Sequence, residues 1–243
     1  MLSSLTVLDD NVSRSAPLNM ALDEVLWQSA ATPCVRFYRW DHPALSFGYF
    51  GRYADVAAYQ GVYDIVRRCT GGGIVFHGTD LTYALIVPAK DLLQLGSPIG
   101  VYTFVHTAVQ NGLRNCGIRT DLMPADTGAV GPDTDPTRMS DAEHHRLKSS
   151  SSIASDTCFT RPVTADVLLA DKKIAGAAQR RSRRGLLQQG SIQNVNLPLG
   201  FIADFVGNLS LNVTTGVLDD ALVEDAQELV TSKYGTEVWL RRS

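Results

Sequence analysis

The stretch Arg67-Arg68-Cys69-Thr70-Gly71-Gly72-Gly73-Ile74-Val75-Phe76-His77 constrains this chain more than any other. Short apolar, β-branched or aromatic runs stand on both sides of it. Tyr63-Asp64-Ile65-Val66 precedes it and residues 81–87 follow, so the stretch reads as a glycine turn joining two strands. Three glycines in a row weaken both strands unless the space they leave is used. Lacking Cβ atoms, they let the main chain approach a ligand and turn N–H groups toward it. Arg67 and Arg68 add fixed charge and forked donors for a phosphate or carboxylate. The expectation is an anion cradle built from Arg68, Thr70, Gly71, Gly72 and Gly73; a plain hairpin turn is the simpler alternative.

At 243 residues, 44% hydrophobic and 19% charged, the chain suffices for one large domain of helices and strands, residues 1–243. Its formal charge of −3 gives no general reason to bind nucleic acid or acidic lipid. The sequence has no apolar run of membrane-spanning length and no basic-then-apolar leader, so a cytoplasmic location without a membrane partner is expected. Cys34, Cys69, Cys116 and Cys158 lie far apart without a C-x-x-C pair, which points to free thiols and to neither a metal site nor a disulfide framework.

In chain order, residues 2–8 predict an edge strand. Ser15 offers a cap and Pro17 a first-turn position for a helix through about Ala30, with Leu18, Leu22, Val25 and Leu26 on its apolar stripe and Asp23 and Glu24 facing water. Residues 34–40 alternate as a strand, Asp41-His42-Pro43 turns, and residues 44–50 return, giving a meander. A helix runs from Ser97-Pro98 to about residue 115, followed by a short strand over 118–122. Residues 124–157 carry glycine, proline, aspartate and serine with no apolar period and predict a mobile loop, with His144 and His145 solvated in it. Residues 167–169 and 173–175 read as strands around a tight turn at Asp171-Lys172. Residues 180–184 form a basic turn before a returning strand, and residues 218–230 a last helix.

The ordered string Arg-Arg-x-Thr-Gly-Gly-Gly-x-Val-x-His resembles the loop of the biotin/lipoate protein ligase superfamily, in its lipoate and octanoate branch. Asn19-Met20-Ala21-Leu22-Asp23-Glu24 resembles that family's early helix, with one extra residue before Glu24. The aromatic stretches Arg36-Phe37-Tyr38-Arg39-Trp40 and Leu45-Ser46-Phe47-Gly48-Tyr49-Phe50 are similar to its first hairpin, which lines an acyl tunnel. Lys173-Ile174-Ala175-Gly176-Ala177-Ala178-Gln179 resembles its second motif, whose first residue is the catalytic lysine. The resemblance covers roughly residues 19–239. It implies an α+β catalytic domain with mixed and antiparallel sheets flanked by helices; the separate carboxyl-terminal accessory domain of many lipoate ligases is not expected here, which counts against self-contained ligation.

The same resemblance implies transfer of an octanoyl or lipoyl group to a lysine in a lipoyl domain of 2-oxoacid dehydrogenase or glycine-cleavage type proteins. Lys173 is then catalytic, His77 orients or handles a proton, and Asp166 and Gly176 join the cradle as substrate-binding residues. Two mechanisms compete. A transferase takes the acyl group from an acyl carrier protein thioester onto an enzyme cysteine, with no tightly bound cofactor; a ligase uses ATP and Mg to form an acyl-adenylate. Cys158-Phe159-Thr160-Arg161-Pro162 resembles the Cys-Phe-x-x-Pro context of one octanoyltransferase branch, which makes Cys158 the candidate thiol, although a buried packing cysteine reads the same way. A non-catalytic acyl or lipoyl-domain binding module is the third reading, disfavoured because a binder has no need of Lys173.

Overall fold

The computed structural model describes residues 1–93, 95–125 and 162–242. Cys158, His144, His145 and nearly all of the predicted loop over 124–157 lie outside the described residues.

An apolar run of eight residues, too short for a buried helix and rich in β-branched and aromatic side chains, forms strand β6 (Leu81–Pro88), buried along its whole length. Its side chains alternate between two cores: Leu81, Tyr83, Leu85 and Val87 enter one, Ala84 and Ile86 the other. The chain reaches it through β1 (Leu5–Asp9), α1 (Ala16–Ser29), β2 (Cys34–Tyr38), β3 (Ala44–Phe47), β4 (Asp64–Arg67) and β5 (Val75–His77). It continues through α2 (Ala89–Leu92), α3 (Pro98–Asn115), β7 (Asp121–Leu122), β8 (Val167–Leu169), β9 (Lys172–Ser182), β10 (Gly185–Ile192), α4 (Phe201–Leu209), β11 (Val213–Gly216) and α5 (Asp220–Leu229). A π-helical turn, Val230–Tyr234, and α6 (Glu237–Leu240) follow.

Eight strands make one mixed sheet in the order β11-β1-β2-β6-β10-β9-β8-β7, and three make a second, β4-β3-β5. Helices α3 and α4 cover one face of the large sheet, with Val101, Val105, Val109, Phe201 and Phe205 against Val35, Phe37, Leu85 and Leu186. Helix α1 covers the other with Met20, Leu22 and Leu26, and α5 packs outside it through Ala226. Each such fully buried side chain contributes about 2 kcal/mol of transfer free energy. This is the expected α+β class, with helices flanking mixed and antiparallel sheets.

Several local expectations change. β1 is not an edge strand, because β11 returns from the far end of the chain to pair with it in parallel. β2 and β3 are not a meander: β2 pairs with β1 and β6, and β3 turns away into the small sheet beside β4 and β5. The glycine stretch therefore joins β4 to β5 as neighbours of β3, instead of joining one strand to its direct partner. Ser15 holds the N-cap position of α1 without a side-chain cap bond; Asp64 Oδ2 accepts from Ala16 N at 3.0 Å in its place. Ser97 does cap α3, accepting from Gly100 N at 3.1 Å. The β8–β9 turn falls one residue early, on Ala170 and Asp171, both at positive φ (47° and 62°).

The largest correction concerns α1. Asp23 is fully buried: its Oδ1 accepts from Arg36 at 2.9 Å and its Oδ2 from Tyr38 at 2.8 Å and Gln189 at 2.7 Å. Glu24 accepts from Lys233 and from Tyr234, each at 2.5 Å. These carboxylates face inward because the chain brings cations and hydroxyls from distant elements to meet them, and both bind strands and tail to the helix.

Candidate active site

Between the glycine loop and β9–β10 lies a narrow cleft with about 410 Å³ of space unfilled by atoms, part of it open to solvent. Tyr38 and Trp40 form one wall, Gly176, Ala177 and Ala178 another, with Arg68, His77 and Ser46 between. Of the aromatic residues in the two stretches that resemble the family's first hairpin, Tyr38 and Trp40 line the cleft, whereas Phe37, Phe47, Tyr49 and Phe50 do not.

The glycines allow a close approach of two main chains. A Cβ on Gly48 would lie 2.0 Å from the Gly72 carbonyl oxygen, and Gly72 itself has φ +85°, where an L side chain is strained. Arg68 fixes the loop from inside: one guanidinium nitrogen donates to Gly71 O at 3.0 Å and Gly73 O at 2.8 Å, the other to Ser46 Oγ at 2.7 Å. Its neighbour has another task. Arg67 donates to the carbonyls of Tyr49, Gly51, Leu240 and Arg242 at 2.7–3.0 Å, so it clamps the chain's last residues to the loop. Thr70 is buried and does not line the cleft, but its hydroxyl donates at 2.7 Å to Oε1 of Gln189, which does.

His77 is buried and held at both nitrogens, Nδ1 at 2.8 Å from Asp80 Oδ2 and Nε2 at 2.7 Å from Ser46 Oγ. Trp40 stacks on its ring, with centroids 4.1 Å apart, and donates through Nε1 to Thr82 Oγ1. Asp80 Oδ2 also accepts from Ser191 at 2.6 Å and Thr82 at 3.0 Å, and Oδ1 from Gly78 N at 3.0 Å. Burial acts to raise the Asp80 carboxyl, but the bonds from His77, Ser191 and Gly78 outweigh it and bring its pKa to about 2. Burial lowers the His77 pKa against the pull of Asp80, so the imidazole is neutral, with its proton on Nδ1 facing the carboxylate.

Lys173 heads β9 and is buried, with Nζ 2.7 Å from Asp166 Oδ2. Gly176 makes the room: a Cβ there would meet Lys173 Cε at 2.4 Å and Nζ at 2.6 Å. This steric demand explains the Lys-x-x-Gly spacing, and because Gly176 lines the cleft it brings the ammonium to the cleft's edge. Asp166 also accepts from Val163 N at 2.7 Å and from the Tyr102 hydroxyl at 2.5 Å. Tyr102 in turn accepts from Ala177 N at 3.1 Å. Of the expected site residues Arg68, His77 and Gly176 line the cleft, with Gly72 beside Arg68 and Ala178 and the Lys173–Asp166 pair seated against Gly176. Ser46 also lines the cleft, and Asp80 and Tyr102 stand behind it on His77 and Asp166; none of the three was a candidate site residue. Asp80, three residues after His77, carried a local signal; Tyr102, on a helix 64 residues from Asp166, carried none.

The described cysteines offer no thiolate to the cleft. Burial pushes Cys34 up to about 12 and raises Cys69; Cys116 is raised as well, and none of the three lines the cleft. Among the described residues no group of three or more His, Cys, Asp or Glu could hold a metal ion, and no helix is long and apolar enough to cross a membrane.

Residues 15–217 match the model of the lipoyl protein ligase A/B catalytic domain. The chain belongs to this family. The octanoyltransferase LipM of Symbiobacterium thermophilum is 28% identical over 96% of this chain and 97% of its own length. The LipM of Macrococcus caseolyticus is 34% identical over 72% of this chain and 60% of its own length. Among solved structures, protein Ta0514 from T. acidophilum with bound lipoic acid aligns over 99% of both chains with TM-score 0.68 at 19% identity. Lipoate-protein ligase A bound with ATP aligns over the same share with TM-score 0.67 at 20% identity. At these identities the two structures speak for the lipoyl ligase fold, and the LipM relatives for an acyl-transferring enzyme.

Proposed function

We propose that this protein moves an octanoyl group from a carrier-bound thioester to the acceptor lysine of a lipoyl domain, by way of Cys158. The observation that carries this reading is the Lys173 ammonium, buried on Asp166 and brought to the cleft by Gly176. A fixed cation beside a narrow, mostly apolar cleft suits a reaction in which an acyl chain lies in the cleft and negative charge grows on its carbonyl oxygen or on an attacking sulfur. His77, neutral and oriented by Asp80, stands at the same cleft to exchange a proton. The described cysteines are unsuited as nucleophiles, which leaves the thiol role to Cys158. The similarity to octanoyltransferases favours a thioester donor over the ATP and Mg route of a ligase.

The deciding experiment supplies octanoyl carrier protein and a lipoyl domain without nucleotide. The protein should acquire a hydroxylamine-labile octanoyl adduct and pass it to the domain, and Cys158→Ser should lose both. Attachment of free octanoate or lipoate only when ATP and Mg are present, with no adduct on the enzyme, would make the protein a ligase.

A further inference from the structure

Ser46 has no part in the transfer scheme, yet it lines the cleft and is held in a specific hydrogen-bond order. Because the His77 proton sits on Nδ1, bonded to Asp80, the lone pair at Nε2 must accept, and the group 2.7 Å from it is the Ser46 hydroxyl. Arg68 donates to the same oxygen at 2.7 Å, so the Ser46 proton points to the imidazole and a cation stands ready beside the oxygen. Trp40, stacked on the ring, fixes its plane.

We infer that Ser46, His77 and Asp80 act as nucleophile, base and orienting carboxylate, giving the protein an esterase activity on medium-chain acyl thioesters and esters. In the first step Ser46 Oγ bonds to the acyl carbon and its proton moves to His77 Nε2. The carbon–sulfur bond then breaks, and the proton passes from His77 to the departing thiolate. In the second, a water oxygen attacks the Ser46 ester, giving its proton to His77; Ser46 Oγ departs and takes that proton back. The net reaction consumes one water and yields a carboxylic acid and a thiol. Arg68 holds Oγ in place with its proton turned to His77, while the negative charge of the addition forms on the acyl carbonyl oxygen. Burial keeps His77 unprotonated at neutral pH and available as the base.

The choice of acyl group rests on the transfer reading; the arrangement of the three side chains does not, and the first test is independent of it. The full chain is treated with a fluorophosphonate probe, which reacts with serines activated by a base, and the adduct is mapped by mass spectrometry. A single adduct on the peptide carrying Ser46, absent from Ser46→Ala, is expected. In parallel, in a Cys158→Ser background that removes the transfer thiol, hydrolysis of p-nitrophenyl octanoate and of an octanoyl thioester, without a lipoyl domain, should fall to the uncatalysed rate when Ser46 is also replaced by alanine. If that variant does not fold, Ser46→Cys keeps the geometry and should take up octanoate as a thioester at residue 46. No adduct on the wild-type protein, an adduct on another residue, hydrolysis unchanged in Ser46→Ala, or a folded Ser46→Cys that is not acylated would each overturn the inference. Transfer to a lipoyl domain, measured on the same preparation, reports separately on the proposed function.

Discussion

Two buried carboxylates serve the cleft and are satisfied in opposite ways. Asp80 is surrounded by neutral donors from His77, Thr82, Ser191 and Gly78. Asp166 takes the Lys173 ammonium at 2.7 Å, with Tyr102 and Val163 completing its shell. Neutral donors on a carboxylate fix directions: the tautomer of His77, the rotor of Ser191, the place of Trp40 through Thr82. An ammonium on a carboxylate fixes a charge where the main chain leaves room for one. The proposed transfer draws on both, a directed proton acceptor and a standing cation, and the groups offered for them come from separate parts of the chain.

The sharpest way to break that division is Lys173→Ala. A lysine beside a turn would ordinarily be solvated and cheap to remove, but this one is buried and paired. Its loss leaves Asp166 charged in the interior, at a cost of about 3 kcal/mol or more. Acyl transfer should fall at least roughly 1000-fold through the missing electrostatic stabilisation. A double variant, Lys173→Met with Asp166→Asn, should recover most of the melting temperature and none of the transfer. Recovery of both, in melting and lipoyl-domain transfer assays, would show that the pair only holds the hairpin.

Asp80→Asn probes the other carboxylate, and a smaller loss is expected. Four donors aim at an acceptor-only group, and an amide presents its own donors to some of them. Stability should drop by about 2 kcal/mol near pH 7, and turnover by roughly 100-fold as His77 loses its fixed tautomer. The sign with pH is definite. Asp80 is held at about 2 in the fold against an ordinary 3.8, so its stabilisation is present above pH 4 and is lost as pH falls toward 2. The melting temperatures of wild type and variant should therefore converge across that window; curves that stay parallel would count against the network.

The backbone and steric features of the two motifs were legible where they are local. Whereas the approach of Gly48 to the Gly72 carbonyl spans distant residues, the Lys-x-x-Gly step imposes its steric demand within three residues and Gly72 through its own φ of +85°. Strands and helices with strong periods, such as α3 and β6, were legible for the same reason. What escaped depends on partners distant in sequence. Asp23 and Glu24 read as water-facing because Arg36, Gln189, Lys233 and Tyr234 approach them only in the fold. Adjacent Arg67 and Arg68 look interchangeable in sequence and diverge where β4 ends, Arg67 bonding toward residues 239–242 and Arg68 lining the cleft. The break between β2 and β3 was hidden because a strand–turn–strand pattern does not say whether the second strand stays in the sheet.

The smallest expected effect sharpens the comparison from behind the Lys173 corner. His106 on α3 is buried, its Nδ1 donating at 2.7 Å to the carbonyl of Ala165, the residue before Asp166, and its ring set edge-on to Tyr102 at 4.2 Å. Nε2 has no hydrogen-bond partner among the described residues. The titratable groups around it are Tyr102, Asp166 and Lys173, and burial, aided by Lys173 against Asp166 and the Ala165 carbonyl, lowers its pKa to about 4 from 6.5. A group depressed in this way binds its proton first in the unfolded chain. Stability is therefore complete above pH 6.5 and is lost as pH falls toward 4, by up to about 3 kcal/mol. His77, also lowered, adds to the wild-type loss in the same direction. His106→Gln removes one titrating ring and leaves the other, so the difference between the two proteins isolates His106. Denaturant melts at intervals between pH 7 and pH 4 should show the variant, less stable at pH 7, closing on the wild type as the pH falls. A constant difference over that range would mean that His106 does not resist protonation in the fold, and that the Asp166 side of the cleft is no better shielded from acid than the surface.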